Sequence, residues 1–120
     1  MKGKRKFSIR DRLKSFRYAV NGLKLLVFRE HNARIHVLAT VIAILGGFFL
    51  KLGSMEWIVI LIVIAIVFIA ELFNTALEHL CDFVKPEYNQ VIKEVKDLAA
   101  GAVLVSAMLA VTIGIILLFA

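Results

Sequence analysis

From residue 9 onward, apolar side chains return every three or four positions: Ile9, Leu13, Phe16, Val20, Leu23 and Val27. Arg10, Arg12, Lys14, Arg17 and Lys24 fall between them. That period predicts an amphipathic helix over about 8–30, its apolar stripe in a membrane surface and its cations among anionic headgroups. Beyond it the pattern changes from periodic to blocked. Residues 33–52 are interrupted only by Arg34, His36 and Lys51 near the ends of the block, where long side chains can reach the interface. Gly53 and Ser54 mark a short connection, and Trp57 stands where an interfacial aromatic belongs. Residues 58–70 are almost purely aliphatic but too short to cross alone. About 20 residues are needed, so this helix must continue through Glu71, giving a span over about 57–80. Pro86 breaks the pattern, 87–97 is a polar connection with room for some helix, and 98–119 is an uncharged third span. Ala102, Ser106, Ala110 and Gly114 place a small residue at every fourth position of that span, which lets helices approach closely.

The expected fold is therefore all-α: one amphipathic surface helix and three transmembrane helices. Composition agrees, since 61% of the 120 residues are hydrophobic and they lie in blocks. The net charge of +6 alone would point toward nucleic acid. Its distribution points elsewhere, with eleven Lys and Arg against two acids in residues 1–34, and four against seven in the remainder. A basic N-terminal third followed by apolar blocks is a topology signal, and no nucleic-acid partner is expected. The N-terminus is expected in the cytoplasm, the connection near Ser54 outside, 81–97 back in the cytoplasm, and the C-terminus outside. The basic stretch is too long for a signal-peptide n-region, so every apolar block is expected to be retained, with 1–7 a basic tail. Cys81 is the single cysteine and has no internal disulfide partner.

The chemistry lies where the second span turns polar. Ionisable groups inside a span cost several kcal/mol unless paired or wetted, and by default they mark function. On a helix Glu71, Glu78 and Asp82 fall in a narrow sector with Asn74 beside them, so one face carries three acids and an amide. The structural alternative pairs these acids with Arg or Lys of neighbouring helices, but basic residues within the spans are few. Glu30 and the Lys96-Asp97 pair lie at the same cytoplasmic boundary. Together these groups can hold Mg²⁺ bridged to phosphates and offer a cation to the phosphate charge. No Walker loop or glycine-rich nucleotide loop exists, because Gly46-Gly47 lies inside a span.

With these motifs the chain resembles the small bacterial integral-membrane diacylglycerol/undecaprenol kinases, over residues 12–119. The resemblance rests on Glu71-Leu-Phe-Asn74-Thr75-Ala-Leu-Glu78, then Asp82, then Lys96-Asp97-Leu-Ala-Ala-Gly-Ala-Val, with Glu30 upstream. It implies one membrane-embedded lipid kinase domain over 1–120 in the bacterial inner membrane, assembled as a homotrimer with sites shared between subunits. It also implies Mg²⁺-dependent transfer of the ATP γ-phosphate to a lipid hydroxyl. Carried over residue by residue, Glu71 is the general base and Glu30 and Glu78 are metal ligands. Arg12, Tyr18, Glu87, Asn89, Lys96 and Asp97 contact nucleotide together with Glu30 and Glu78. Asn74 and Asp82 support the site, while Arg12, Glu71 and Ala100 face the lipid. Asn89 departs from the basic or aromatic residue usual at its position. Ala100 stands where the diacylglycerol branch has a small hydroxyl residue, and its Ala-Ala-Gly-Ala-Val setting is more like the undecaprenol branch.

Depth along the helix agrees with these roles on independent grounds. Seven residues separate Glu71 from Glu78, so Glu71 lies about 10 Å deeper. A lipid hydroxyl near headgroup level meets the deeper carboxylate, and Mg·ATP arriving from the cytoplasm meets the shallower one. A small multidrug-type transporter would also bury a carboxylate, but normally with four spans and one functional Glu. A non-enzymatic assembly subunit would explain the small-residue stripe but not Glu71 and Glu78 together.

Overall fold

The structure, a computed structural model, describes residues 6–120; the first five residues of the expected basic tail lie outside it. Among the described residues four helices follow one another: α1 (Ile9–Arg29), α2 (His31–Phe49), α3 (Ser54–Val84) and α4 (Gln90–Phe119). No strand occurs among the described residues. The all-α architecture with one amphipathic helix and three helices long and apolar enough to span a membrane is the one predicted.

Each helix ends where its backbone groups find partners. Ser8 caps α1, its Oγ accepting from Asp11 N–H at 3.3 Å. At the other end the chain breaks at Glu30, whose φ of −103° and ψ of 118° are extended. Arg34 reaches back across this elbow from α2. Its Nε donates to the Val27 carbonyl at 2.9 Å and its guanidinium also donates to the Phe28 carbonyl, satisfying the open end of α1. Helix α2 stops at Phe49, short of the predicted 52, because Lys51 enters the left-handed region with φ 55°. The Leu52 N–H then bonds to the Gly47 carbonyl and the Lys51 N–H to Phe48, a Schellman closure made without glycine. Glu56 starts α3 by accepting from the Gly53 N–H at 3.2 Å.

The largest departure from the sequence expectation is α4, which begins at Gln90, well before residue 98. Asn89 is its N-cap, with Oδ1 accepting from Val91 N–H at 2.9 Å and Ile92 N–H at 3.2 Å. Pairs one turn apart, Gln90 with Glu94 and Lys93 with Asp97, line the new turns. Most of the expected polar connection is thus the first part of a helix.

Helices α3 and α4 form a hairpin packed along its length; α2 leans on α3, and α1 touches both α2 and α3. Where α2 meets α3, Gly47 admits the Trp57 indole so closely that a Cβ there would lie 2.6 Å from Cη2. Trp57 also packs on Phe48, ring centroids 4.9 Å apart. Even so, the chain covers little of its own apolar surface. Only 22% of the α3 span is buried, with 11% for α2 and 6% for α4, so lipid or other subunits must cover the rest. The stripe of α1 is likewise open, Leu13 and Phe16 being exposed and Leu26 fully buried as its anchor. Among the described residues the most buried are Leu26 of α1, Ala33 of α2 and Glu71 of α3, and the last of these is a carboxylate.

Candidate functional site

Burial of polar groups costs free energy unless they are paired, so a buried polar junction needs a reason. Glu71 is 1% exposed, and Asn74 and Thr75 are buried with it on the next turn of α3. Steps of three and four residues keep all three on one side of α3, the side on which Glu71 meets His36 of α2. The Glu71 Oε1 lies 3.1 Å from His36 Nε2 of α2. An ionised carboxylate only accepts, so in that state Nε2 carries the proton of this bond. The charges of Glu30 and Glu78 both reach Glu71, so three carboxylates share one neighbourhood. Glu78 in turn accepts from Asn74 Nδ2 at 3.2 Å.

The junction extends to α4 through an ion pair. Lys96 Nζ donates to Asp82 Oδ1 at 2.5 Å, which ties the start of α4 to the end of α3. The charge of Glu78 also acts on Lys96, placing this cation beside the carboxylate group. Both Lys96 and Lys93 precede the apolar stretch of α4. Their hydrogen bonds to Asp82 and Asp97 hold each ammonium above the ordinary lysine value.

Not every predicted residue joins the cluster. Asp97 is turned to Lys93 at 2.6 Å. Glu87 pairs with Lys85 at 3.4 Å, both well exposed. Asn89 spends its side-chain oxygen on the α4 cap, a structural role that accounts for this residue type at the position. Arg12 and Tyr18 are exposed on α1, and Ala100 is exposed on α4. The structure thus brings together Glu30, Glu71, Asn74 and Glu78, with Asp82 and Lys96 alongside.

His36 is the residue that sequence reasoning missed. In the sequence it is one polar interruption near the end of the first span, where basic residues are few. The available signal was a histidine inside an otherwise apolar block at the boundary depth of the α3 acids. His36 also borders an apolar cavity of about 210 Å³ between α2, α3 and α4, whose lining includes Ala43, Val67 and Gly114.

Among the described residues, no three His, Cys, Asp or Glu side chains converge on one point to make a complete metal cage. Glu30 and Glu78 are half-buried carboxylates, and Asn74 Oδ1 beside them is buried with no partner among the described residues. These are hard oxygen donors, and they fit a divalent cation that takes one or two protein carboxylates and completes its shell with water and phosphate.

Known proteins share this layout of sequence. The prokaryotic diacylglycerol kinase family matches residues 17–118. The undecaprenol kinase of Bacillus subtilis is 36% identical over 104 residues, covering 87% of this chain and 85% of that protein. A diacylglycerol kinase of Synechocystis is 40% identical over 103 residues, 85% of this chain and 59% of that longer protein. The diacylglycerol kinase of Escherichia coli K12 is 26% identical over 107 residues, 89% of this chain and 88% of that protein.

Proposed function

Since the chain belongs to the prokaryotic diacylglycerol kinase family and is a membrane lipid kinase, a phosphotransferase with an alcohol acceptor, we propose that it transfers the γ-phosphate of ATP to the hydroxyl of undecaprenol. The observation that carries this reading is the buried carboxylate Glu71, set inside an apolar helix one turn or two from Glu78 and Asn74. Diacylglycerol is the second acceptor to test, favoured by the name of the Synechocystis relative. The undecaprenol reading draws on the Bacillus subtilis protein, matched over 85% of its length against 59% for the Synechocystis protein and at 36% identity against 26% for the Escherichia coli one, and on Ala100, which has no hydroxyl to offer a glycerol backbone.

In this mechanism the lipid hydroxyl approaches Glu71 from the bilayer. Its oxygen attacks the γ-phosphorus, its proton passes to the Glu71 carboxylate, and the bond from the γ-phosphorus to the bridging oxygen of ADP breaks. Glu30 and Glu78 would hold Mg²⁺, which when bound would neutralise phosphate charge. Asn74 keeps Glu78 oriented through its amide N–H. Lys96, fixed by Asp82, presents positive charge toward the same phosphates. Arg12, Tyr18, Glu87, Asn89 and Asp97 complete the nucleotide side, and Arg12 with Ala100 borders the lipid. A homotrimer brings the exposed groups of one subunit to the cluster of the next and covers apolar faces that one chain leaves open. The bacterial inner membrane is the setting, with the N-terminus in the cytoplasm and the C-terminus outside.

Radiolabel from γ-labelled ATP, followed into extractable lipid with both acceptors in competition, tests the reading. Label should enter undecaprenyl phosphate in preference to phosphatidic acid. Preference for diacylglycerol would reverse the acceptor, and transfer to neither would end the kinase reading. A more local expectation concerns Lys96. Lys96→Met should raise the KM for ATP several-fold while leaving that for lipid nearly unchanged, measured by steady-state kinetics in mixed micelles. The opposite ranking would put Lys96 on the lipid headgroup.

A further inference from the structure

The bond between His36 and Glu71 joins two helices at the one fully buried carboxylate of the junction. Oε1 and Nε2 are 3.1 Å apart, and the side chains are 2% and 20% exposed. A carboxylate at the end of a flexible side chain has several rotamers, and only some aim an oxygen at a lipid hydroxyl. His36 is itself largely buried, its side chain 20% exposed and its ring bonded across from α2 to α3. Glu71 has no other side-chain hydrogen bond among the described residues, whereas Glu78 is held by Asn74.

From this we propose that His36 is a positioning residue for the phosphoryl-transfer step: its Nε2–H fixes one oxygen of Glu71 and leaves the other aimed at the acceptor hydroxyl. The inference rests on the assignment of Glu71 as the base. It separates two duties within the junction. His36 acts through Glu71 and should affect turnover, while Glu30, Glu78 and Lys96 meet the nucleotide side and should govern its binding. The border of His36 on the apolar cavity serves the same end. A lipid chain lying against α2 and α3 at that level brings its headgroup end to the side of Glu71 that His36 leaves free.

Four variants of the full chain, reconstituted in lipid nanodiscs, test this: His36→Leu, His36→Gln, His36→Asn and Glu71→Gln. Leu keeps bulk without a donor, Gln carries an amide N–H to roughly the place of Nε2, and Asn falls one methylene short. Misplacing a reacting group by about 1 Å can cost on the order of 10²-fold, so His36→Leu and His36→Asn should lower kcat by about 10- to 100-fold. The KM for ATP should stay within about two-fold, since the nucleotide contacts are untouched. Gln should recover most of the lost turnover. Adding His36→Leu to Glu71→Gln should cause little further loss, because the two residues act as one unit.

Near-normal kcat in both Leu and Asn variants would overturn the inference. So would a rise in KM for ATP that matches the fall in kcat, or equal activities for Gln and Asn. Should Leu fail to fold, the contrast between Gln and Asn carries the same test with polar side chains. Near-normal turnover in Glu71→Gln would instead remove the base assignment, whatever the histidine variants do.

Discussion

Replacing Glu71 with glutamine is expected to cut phosphoryl transfer by about 10²–10⁴-fold while the protein stays assembled and still binds Mg·ATP. An alcohol is a poor nucleophile at neutral pH, and the loss is the size contributed by a positioned group that takes its proton. Glutamine is nearly isosteric, and its amide oxygen can still accept from His36 Nε2, so the contact between α2 and α3 is retained. What disappears is the capacity to hold a proton. The competing role for Glu71 is purely structural, with the pair to His36 serving to join helices. That role predicts a dissociated or unstable protein whose assembled remainder keeps its activity. Size-exclusion in detergent, nucleotide binding and turnover on one preparation separate the two. Near-normal turnover would remove Glu71 from the chemistry.

The second large effect is expected at Glu78 and Glu30. Glu78→Gln should cost about 10²–10³ in kcat, the loss found when one preorganised electrostatic partner of a developing charge is removed. It should also raise the Mg²⁺ concentration for half-maximal rate. The substitution is selective because glutamine still accepts from Asn74 Nδ2, so the bond that orients the side chain survives and only the charge is lost. Glu30→Gln should act in the same direction. Its side chain makes no capping bond to α2, so stability should change little. A magnesium titration of initial rates in each variant checks this pair. Unchanged Mg²⁺ dependence in either would take that residue out of the cation site.

Much of this was legible in the sequence because a membrane simplifies the code. Blocks of apolar residues can hardly be anything but spans, and the three-residue and four-residue recurrence from Ile9 to Val27 fixes the face of α1. The same arithmetic placed Glu71, Asn74 and Glu78 on one side of α3, where they are found. Periodicity within a helix, however, says nothing about which neighbouring helix meets that side. His36 and Glu71 are 35 positions apart, and no spacing rule links them. The early start of α4 was hidden for another reason. Lys93, Glu94, Lys96 and Asp97 make 87–97 look like a solvated connection, although Lys93 with Asp97 and Gln90 with Glu94 are equally the pairs of a polar helix start. Asn89 is the signal for the boundary, since an asparagine there caps the helix that begins at Gln90. Arg12 and Tyr18 illustrate a further limit. Both are exposed on α1, and no spacing within one chain says what an exposed side chain meets.

Helix α3 is 31 residues long, about 46 Å at 1.5 Å per residue, whereas the hydrocarbon layer of a bilayer is about 30 Å thick. Glu71 comes about 26 Å along that rod, near the far edge of the oily layer. The carboxylate is carried by the rod, but the acceptor hydroxyl rides with the plane of the headgroups. A thicker membrane draws the two out of register in one direction, a thinner one in the other, and helix tilt compensates at a modest cost per ångström. With Glu71 as the proposed base, the catalytic rate is expected to vary with the thickness of the surrounding bilayer, a quantity that changes with acyl-chain length and temperature without any ligand being bound.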